Sequence, residues 1–467
     1  MIELSLTVQV VIWLVVIGIF LASGQASLFH PVTVYCIFHG LVFVLRPILV
    51  RSFGFDANWN YMIFQPTDAY FIKTLAVSSV ALIVFATTCV VVGWAKPVFL
   101  TDRFPGFNAV ERRALLATTL LLLPAVAYSI YATRNGIEGE RVNGIYIMTN
   151  STGYLNEAQH FAIPLLGAWL VATRFHWFNL APISLYVGYR VWFGWSRWTI
   201  LLFLLMTVLV YCWFYRRKWI PLWSIVLAIP VLALFNLLGH NRDLLKQFFA
   251  GESLHVVEQD VGMSRAEKIR KQLDTQDYAN FDYLSYVVSV VPERTEAFSY
   301  GAQYLQLFTE PIPRILWKGK PVGAPVKMIN IGAYGNFVGL TVSICGDGWI
   351  SGGWVGLVIT LAVAGALLGG AHRWFWRNTD NVLAAMLYLV ALAMVPQWYR
   401  DGGISIFKFL LFNLFPVLVW MGMNWLMGPR LVASHFVPLP PGAHLRFIRA
   451  RPRHAAGNNC GARSRPV

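Results

Sequence analysis

Charge is what this chain of 467 residues has least of: 13% of it is Asp, Glu, Lys or Arg, against roughly 25% in soluble globular chains. That shortage excludes a solvated surface wrapped around one globular core. Acidic residues are the scarcer sign, 22 against 37 basic ones. The five cysteines offer neither a disulfide framework nor a metal cluster: Cys36, Cys89 and Cys212 fall inside apolar runs, and Cys345 and Cys460 lie far apart. No basic residue precedes the first apolar run, which carries Glu3, so it reads as an uncleaved span and not as a signal peptide. No internal repeat is visible, and Asn150-Ser-Thr reads as a chance sequon.

What the chain has instead is apolar length. It is 57% hydrophobic, with mean hydropathy +0.57, the composition of a polytopic membrane protein. Aromatics at 15%, 19 of them Trp, suit the belts at the two membrane surfaces. The fold class expected is all-α: a transmembrane helix bundle of about eleven spans of roughly 20 residues each, with one large external loop region carrying short helices. The spans fall near 5–23, 31–49, 73–95, 114–131, 154–173, 177–193, 198–215, 219–238, 352–370, 382–396 and 405–427. Residues 1–238 then hold the first eight spans, 239–351 the external loop, 352–427 the last three, and 428–467 a basic tail. Lys and Arg in the short loops favour the side of that tail, which puts the C-terminus in the cytoplasm and the N-terminus outside. The net charge of +15 is spread over loops and tail, so anionic lipid accounts for it and nucleic acid is not an expected partner.

The long polar region has local patterns of its own. Ser264-Arg-Ala-Glu267 is a capping box before a short helix at 265–274, and an apolar run from Tyr283 to Val291 stops at Pro292. From Pro292 to Lys320 the chain sets Arg294, Arg314, Lys318 and Lys320 among Tyr300, Tyr304, Phe308 and Trp317, bent by Gly301, Pro311, Pro313 and Gly319. Cations, aromatic rings and backbone bends suit a phosphate-bearing sugar donor. A basic loop lying on the membrane surface has the same residue types. The stretch 332–356 is glycine-rich and leads into a span, fit either for backbone approach to a ligand or for a flexible return. Other ionisable residues fall on the same face: Arg190 and Arg197 around GWS, His240, Arg242 and Asp243 in GHNRD, Arg400 and Asp401 in WYRDGG. At a membrane end such residues are functional candidates or interface anchors.

The run YGAQYLQLFTEPIPRILWKGKP, with the glycine-rich segment after it and the arginine of GWSRW opening a long apolar helix, resembles the Wzy-type oligosaccharide repeat-unit polymerases of bacterial inner membranes. Lys318 stands where that family often has proline. The resemblance covers the topology and about 190–360. It implies a metal-independent glycosyltransferase without cofactor, joining undecaprenyl-pyrophosphate-linked repeat units into O-antigen or exopolysaccharide on the outer face of the inner membrane. Membrane lipid and a chain-length regulator protein are the partners it implies. In that reading Arg314, Arg197, Arg242, Asp243 and Glu296 carry the chemistry. Arg190, Arg294, Tyr304, Trp317, Lys320 and Arg400 bind substrate. Asp243, Glu296, Asp347, His240 and Asp401 are the groups able to act as base. Arginine replaces a metal, since no Asp-rich or His-rich ligand spacing appears in the polar region. An O-antigen ligase shares the architecture and the donor. A lipid-linked oligosaccharide transporter would place charge along the spans, where this chain holds little beyond Lys408.

Overall fold

Apolar runs become helices here from identifiable starts. His30 accepts the Val32 N–H through its ring ahead of Pro31, and Asn381 accepts the Ala384 N–H. Both are cap bonds that satisfy donors a helix start leaves open. The computed structural model describes residues 1–55, 66–134, 139–142, 145–148, 157–192, 197–221, 279–309 and 341–428, with 264, 312, 317 and 329 singly. It divides into Met1–Met427 and Gly428–Val467. The first unit is described below, and 429–467 lies outside the described residues.

The helices are α1 (Ile2–Ala22), α2 (Pro31–Phe53), α3 (Asp68–Val92), α4 (Ala109–Arg134), α5 (Ala162–Ala172), α6 (Leu180–Trp192), α7 (Arg197–Phe214), α8 (Asn280–Val290), α9 (Ser343–Arg377), α10 (Val382–Asp401) and α11 (Gly403–Met427). Seven of these, α1 to α4 and α9 to α11, are long and apolar enough to cross a membrane. Their outward surface is apolar as well: Leu4, Val8, Leu14 and Ile19 stand exposed along α1. That is a face for hydrocarbon and not for water.

The expected spans at 154–173, 177–193 and 198–215 correspond to α5, α6 and α7, which are shorter than the other seven. Most of the expected span 219–238, and the helix expected at 265–274, lie outside the described residues. One element is additional to an all-α reading. Strands β1 (Gly139–Val142) and β2 (Ile145–Met148) pair antiparallel as a hairpin. The span expected at 352–370 also starts earlier, because α9 begins at Ser343 and runs through a break at Gly352 and Gly353, the latter at φ 59° and ψ −132°.

Packing rests on small residues and on a few buried polar bonds. α9 lies along α3, where Gly365 and Gly369 face the backbone of Phe85 and Cys89. A Cβ at Gly369 would come within 2.6 Å of the Cys89 carbonyl oxygen. This is the small-xxx-small contact that lets two membrane helices touch. α2 passes through a π-helical turn, Gly40–Leu45, and Gln9 of α1 donates to the Phe43 carbonyl (3.1 Å) and to Ser78 Oγ of α3 (2.9 Å). The helices alternate, so their ends gather at two levels. One end joins Leu28 to Lys218 and Arg216 to Asp380 (2.7 Å). The other joins Arg46 to Asp282 and Lys73 to Glu293, and the candidate residues belong to it.

Helix α8 is the least expected feature of that end. Only eleven residues long, it is buried along its whole length between α3 and α9. Its Asp282 receives both Nε (2.9 Å) and Nη2 (2.6 Å) of Arg46, with both side chains fully enclosed. The apolar pattern of 283–291 foretells a helix ending at Pro292, and the ion pair neutralises the one carboxylate that its burial encloses.

Candidate functional site

Pro292 cannot continue α8, and the chain leaves it as a series of bends from Val291 to Gly301. Glu296 and Tyr300 sit at φ 55° and 50°, and Gly301 follows at 75°. Non-glycine residues rarely occupy that region. The bends are held against the start of α9. Ser299 N–H donates to the Ile350 carbonyl (2.9 Å), and the buried Gln303 donates to Ser351 Oγ (2.5 Å). Arg294, Glu296 and Tyr300 remain exposed on the rim, as do Leu305 and Phe308 farther along. Beside them Lys73 pairs with Glu293 (3.3 Å) and stands 5.0 Å over the Trp349 ring.

Under this rim the turn between α10 and α11 meets α9. Asp347, the fifth residue of α9, is 1% exposed. Its Oδ2 accepts the Gly403 N–H at 2.6 Å, placing a carboxylate at the open start of α11. Gly402 has φ 85°, and a Cβ there would fall on the Asp347 carboxylate, so no other residue fits this turn without displacing it. A Cβ at Gly403 would lie 3.4 Å from Trp398 Nε1, 3.5 Å from Tyr304 Cε1 and 3.8 Å from Asp347 Oδ2. Those three groups therefore converge on one spot.

The outer edge of the same node ties three helices together. Asn280 Nδ2 donates to the carbonyls of Thr341 (2.9 Å) and Arg400 (3.0 Å). Arg400 Nη1 stands 3.8 Å from Asp401 Oδ1, and Gln397 donates to Asp401 Oδ2 (3.2 Å). Tyr304 lies beside Ser351 and Thr360, and burial, followed by the charge of Asp347, raises its phenol above the usual range. It stays a neutral hydroxyl, able to donate. Trp398 Nε1 is buried and meets no acceptor among the described residues.

Below the node a cavity of about 590 Å³ runs between α9, α10 and α11. Tyr304, Thr360, Trp398 and Gly403 line it; the rest of the lining is hydrocarbon or thioether, including Val363, Ala364, Ala391 and Met394. The combination of an apolar cavity, a hydroxyl donor, an indole donor, two carboxylates and a guanidinium suits a ligand with a long apolar part and an oxygen-rich head.

Of the expected site residues, Tyr304 and Asp347 meet at this node and Arg400 and Asp401 lie at its outer edge, while Arg294 and Glu296 stand on its rim. Trp317 is described singly and is 37% exposed. Arg190 belongs to a separate group at the same end. It is 2% exposed and donates to Gln159 Oε1 (2.6 Å) and Thr199 Oγ1 (2.5 Å), joining the approach to α5 with α6 and α7. Arg197 opens α7, described by its backbone. Arg242, Asp243, Arg314 and Lys320 lie outside the described residues, as does His240. Trp398, Thr360 and the Gly402–Gly403 pair were not singled out by sequence reasoning, although the glycine pair stands in the WYRDGG run that was. Compared with protein-family models, with curated proteins and with solved structures, the chain finds no match.

Proposed function

We propose that this chain is a membrane glycosyltransferase that joins lipid-linked oligosaccharide repeat units into a polymer, using a polyprenyl-pyrophosphate-linked glycan as donor. The observation that carries the reading is the convergence of Tyr304, Trp398 and Asp347 at the Gly402–Gly403 turn, next to the Arg400–Asp401 pair and to the rim of 292–309 that exposes Arg294, Glu296 and Tyr300. The reading takes α5 to α7 and 219–238 as further crossings, eleven in all, with the N-terminus and the node on the outer face of a bacterial inner membrane.

The chemistry requires three provisions. The acceptor hydroxyl oxygen attacks the anomeric carbon of the donor, and the bond from that carbon to the pyrophosphate oxygen breaks with its electron pair leaving on pyrophosphate. Guanidinium groups stabilise that charge through paired hydrogen bonds; Arg400 is the described candidate, Arg314 the one expected from the WKGK run. The hydroxyl proton passes to a carboxylate, and Asp401, next to Arg400, is the one proposed. Tyr304 donates to an oxygen of the bound head.

The test is the glycan ladder of a strain lacking the gene, restored by the wild-type chain. Single-repeat glycan in the deletion strain is the expected result. Polymer accumulating on the lipid carrier with none attached would assign the chain as a ligase instead. An unchanged ladder would overturn both.

A further inference from the structure

The break in α9 delivers Asp347 to the node. At Gly352 and Gly353 the segment 343–351 folds back on the rest of the helix. A Cβ at Gly348 would lie 2.9 Å from Leu357 Cα, and one at Gly356 would lie 2.5 Å from the Gly348 carbonyl oxygen. An unbroken helix would hold residues this far apart in sequence about 12 Å from one another. Hydrogen bonds pin the folded segment: Trp349 Nε1 donates to the Val291 carbonyl (2.9 Å) and Ser351 Oγ to the Asp347 carbonyl (2.7 Å). Asp347 thereby meets the turn between α10 and α11. That turn is the single residue Gly402, since α10 ends at Asp401 and α11 begins at Gly403. With so short a link, whatever holds Gly403 also sets where Asp401 and Arg400 stand. Among the described residues the side-chain acceptor on the Gly403 N–H is Asp347 Oδ2.

We infer that Asp347 is a positioning residue for the proposed transfer. It holds the Gly403 N–H and so fixes Asp401 and Arg400 relative to Tyr304, without itself taking the proton of the attacking hydroxyl. This rests on the glycosyltransferase reading above. Burial separates its role from that of Asp401. Asp347 is enclosed, with one oxygen committed to a backbone donor at an open helix start, and the backbone of Gly402 lies against its carboxylate. A base must come within hydrogen-bond reach of the hydroxyl it serves. Asp401, its side chain 13% exposed at the outer edge, has the open position. A displaced turn would carry the reacting groups out of line, and a misplacement of about 1 Å costs roughly 10²-fold in rate.

The test compares Asp347→Leu with Asp347→Asn in the full-length protein, expressed in the deletion strain and purified into nanodiscs. Leucine removes the acceptor at similar volume, whereas asparagine keeps an oxygen for the Gly403 N–H. Asp347→Leu should shorten the ladder and lower kcat about 10²-fold, with KM for the lipid-linked donor little changed. Asp347→Asn should recover most of that loss and keep the wild-type pH profile. An Asn variant as inactive as the Leu variant, at matched abundance and melting temperature, would overturn positioning and make the charge itself part of the chemistry. Wild-type kcat in Asp347→Leu would remove the residue from the reaction. Where the Leu variant accumulates poorly, the Asn variant decides alone: kcat within about tenfold of wild type with the same pH profile supports the assignment, and a larger loss overturns it. An unchanged ladder in the deletion strain would refute the enzyme reading and this assignment with it, whereas a lost ladder with an inactive Asn variant refutes the assignment alone.

Discussion

At the scale of single residues, two carboxylates of this end do opposite work. Asp282 is wholly enclosed with Arg46, so removing its charge leaves a bare guanidinium inside the bundle. Asp282→Asn should destabilise the protein by about 3–5 kcal/mol, read as a lowered melting temperature in detergent. Replacing both partners, Arg46→Met with Asp282→Leu, should recover most of that loss. Equal losses in the single and double variants would show that the pair is not the cause. Asp401, beside Arg400 and partly exposed, is predicted to behave otherwise. Asp401→Asn should leave abundance and melting near normal and abolish polymer, whereas a wild-type ladder at matched expression would remove it from the chemistry. Gly402 belongs to the same scale, since its missing side chain is the room that Asp347 occupies.

At the scale of elements, the close contact of α9 with α3 is the packing most sensitive to volume. Gly369→Ala must push against the Cys89 carbonyl, while Gly370→Ala meets nothing within 4 Å. The first should cost about 1–3 kcal/mol, as overpacking does, and the second should be close to neutral. Thermal melting of the two variants side by side checks this, and equal stability would refute the contact. The pattern Gly365-xxx-Gly369 is a helix-contact motif that the sequence reading passed over, and the structure shows that α3 is its partner. Helix α8 divides the same way. Its apolar run and proline stop are local signals, but the partner that neutralises Asp282 is Arg46, 236 positions away. The start of α9 was misjudged because Gly346, Gly348, Gly352 and Gly353 look like loop chemistry. Only the last two coincide with the break.

At the scale of the whole molecule, apolar length alone made the membrane bundle legible, since each crossing is a local property of about 20 residues. The site was legible in part. Tyr304 and Arg400 could be suspected as ionisable or aromatic groups at a membrane end, whereas Trp398 looks like any interface tryptophan until the turn at Gly402 brings it to Asp347. Arg190 illustrates the reverse: it has the right residue type at the right end, but the described bonds are to Gln159 and Thr199. Orientation is a prediction at this scale. Cys36, Cys89, Cys212 and Cys345 are all buried and should be silent to an impermeant maleimide. In a Cys460→Ser background, Tyr300→Cys, 79% exposed in the wild-type side chain, should label in intact spheroplasts. Trp94→Cys, at the opposite end and 57% exposed, should label only after lysis. The reverse pattern would invert the topology and put the node in the cytoplasm.

The enclosure of α8 also constrains how the chain is made. Arg46 leaves the ribosome long before Asp282 does, so a guanidinium must wait in or beside the membrane until the segment that neutralises it has been synthesised. A nascent chain halted before residue 279 would hold the first spans with that charge uncompensated, a natural mark for the cell's membrane proteases. Once made, α8 lies between α3 and α9 and supplies the carboxylate that this early guanidinium lacks.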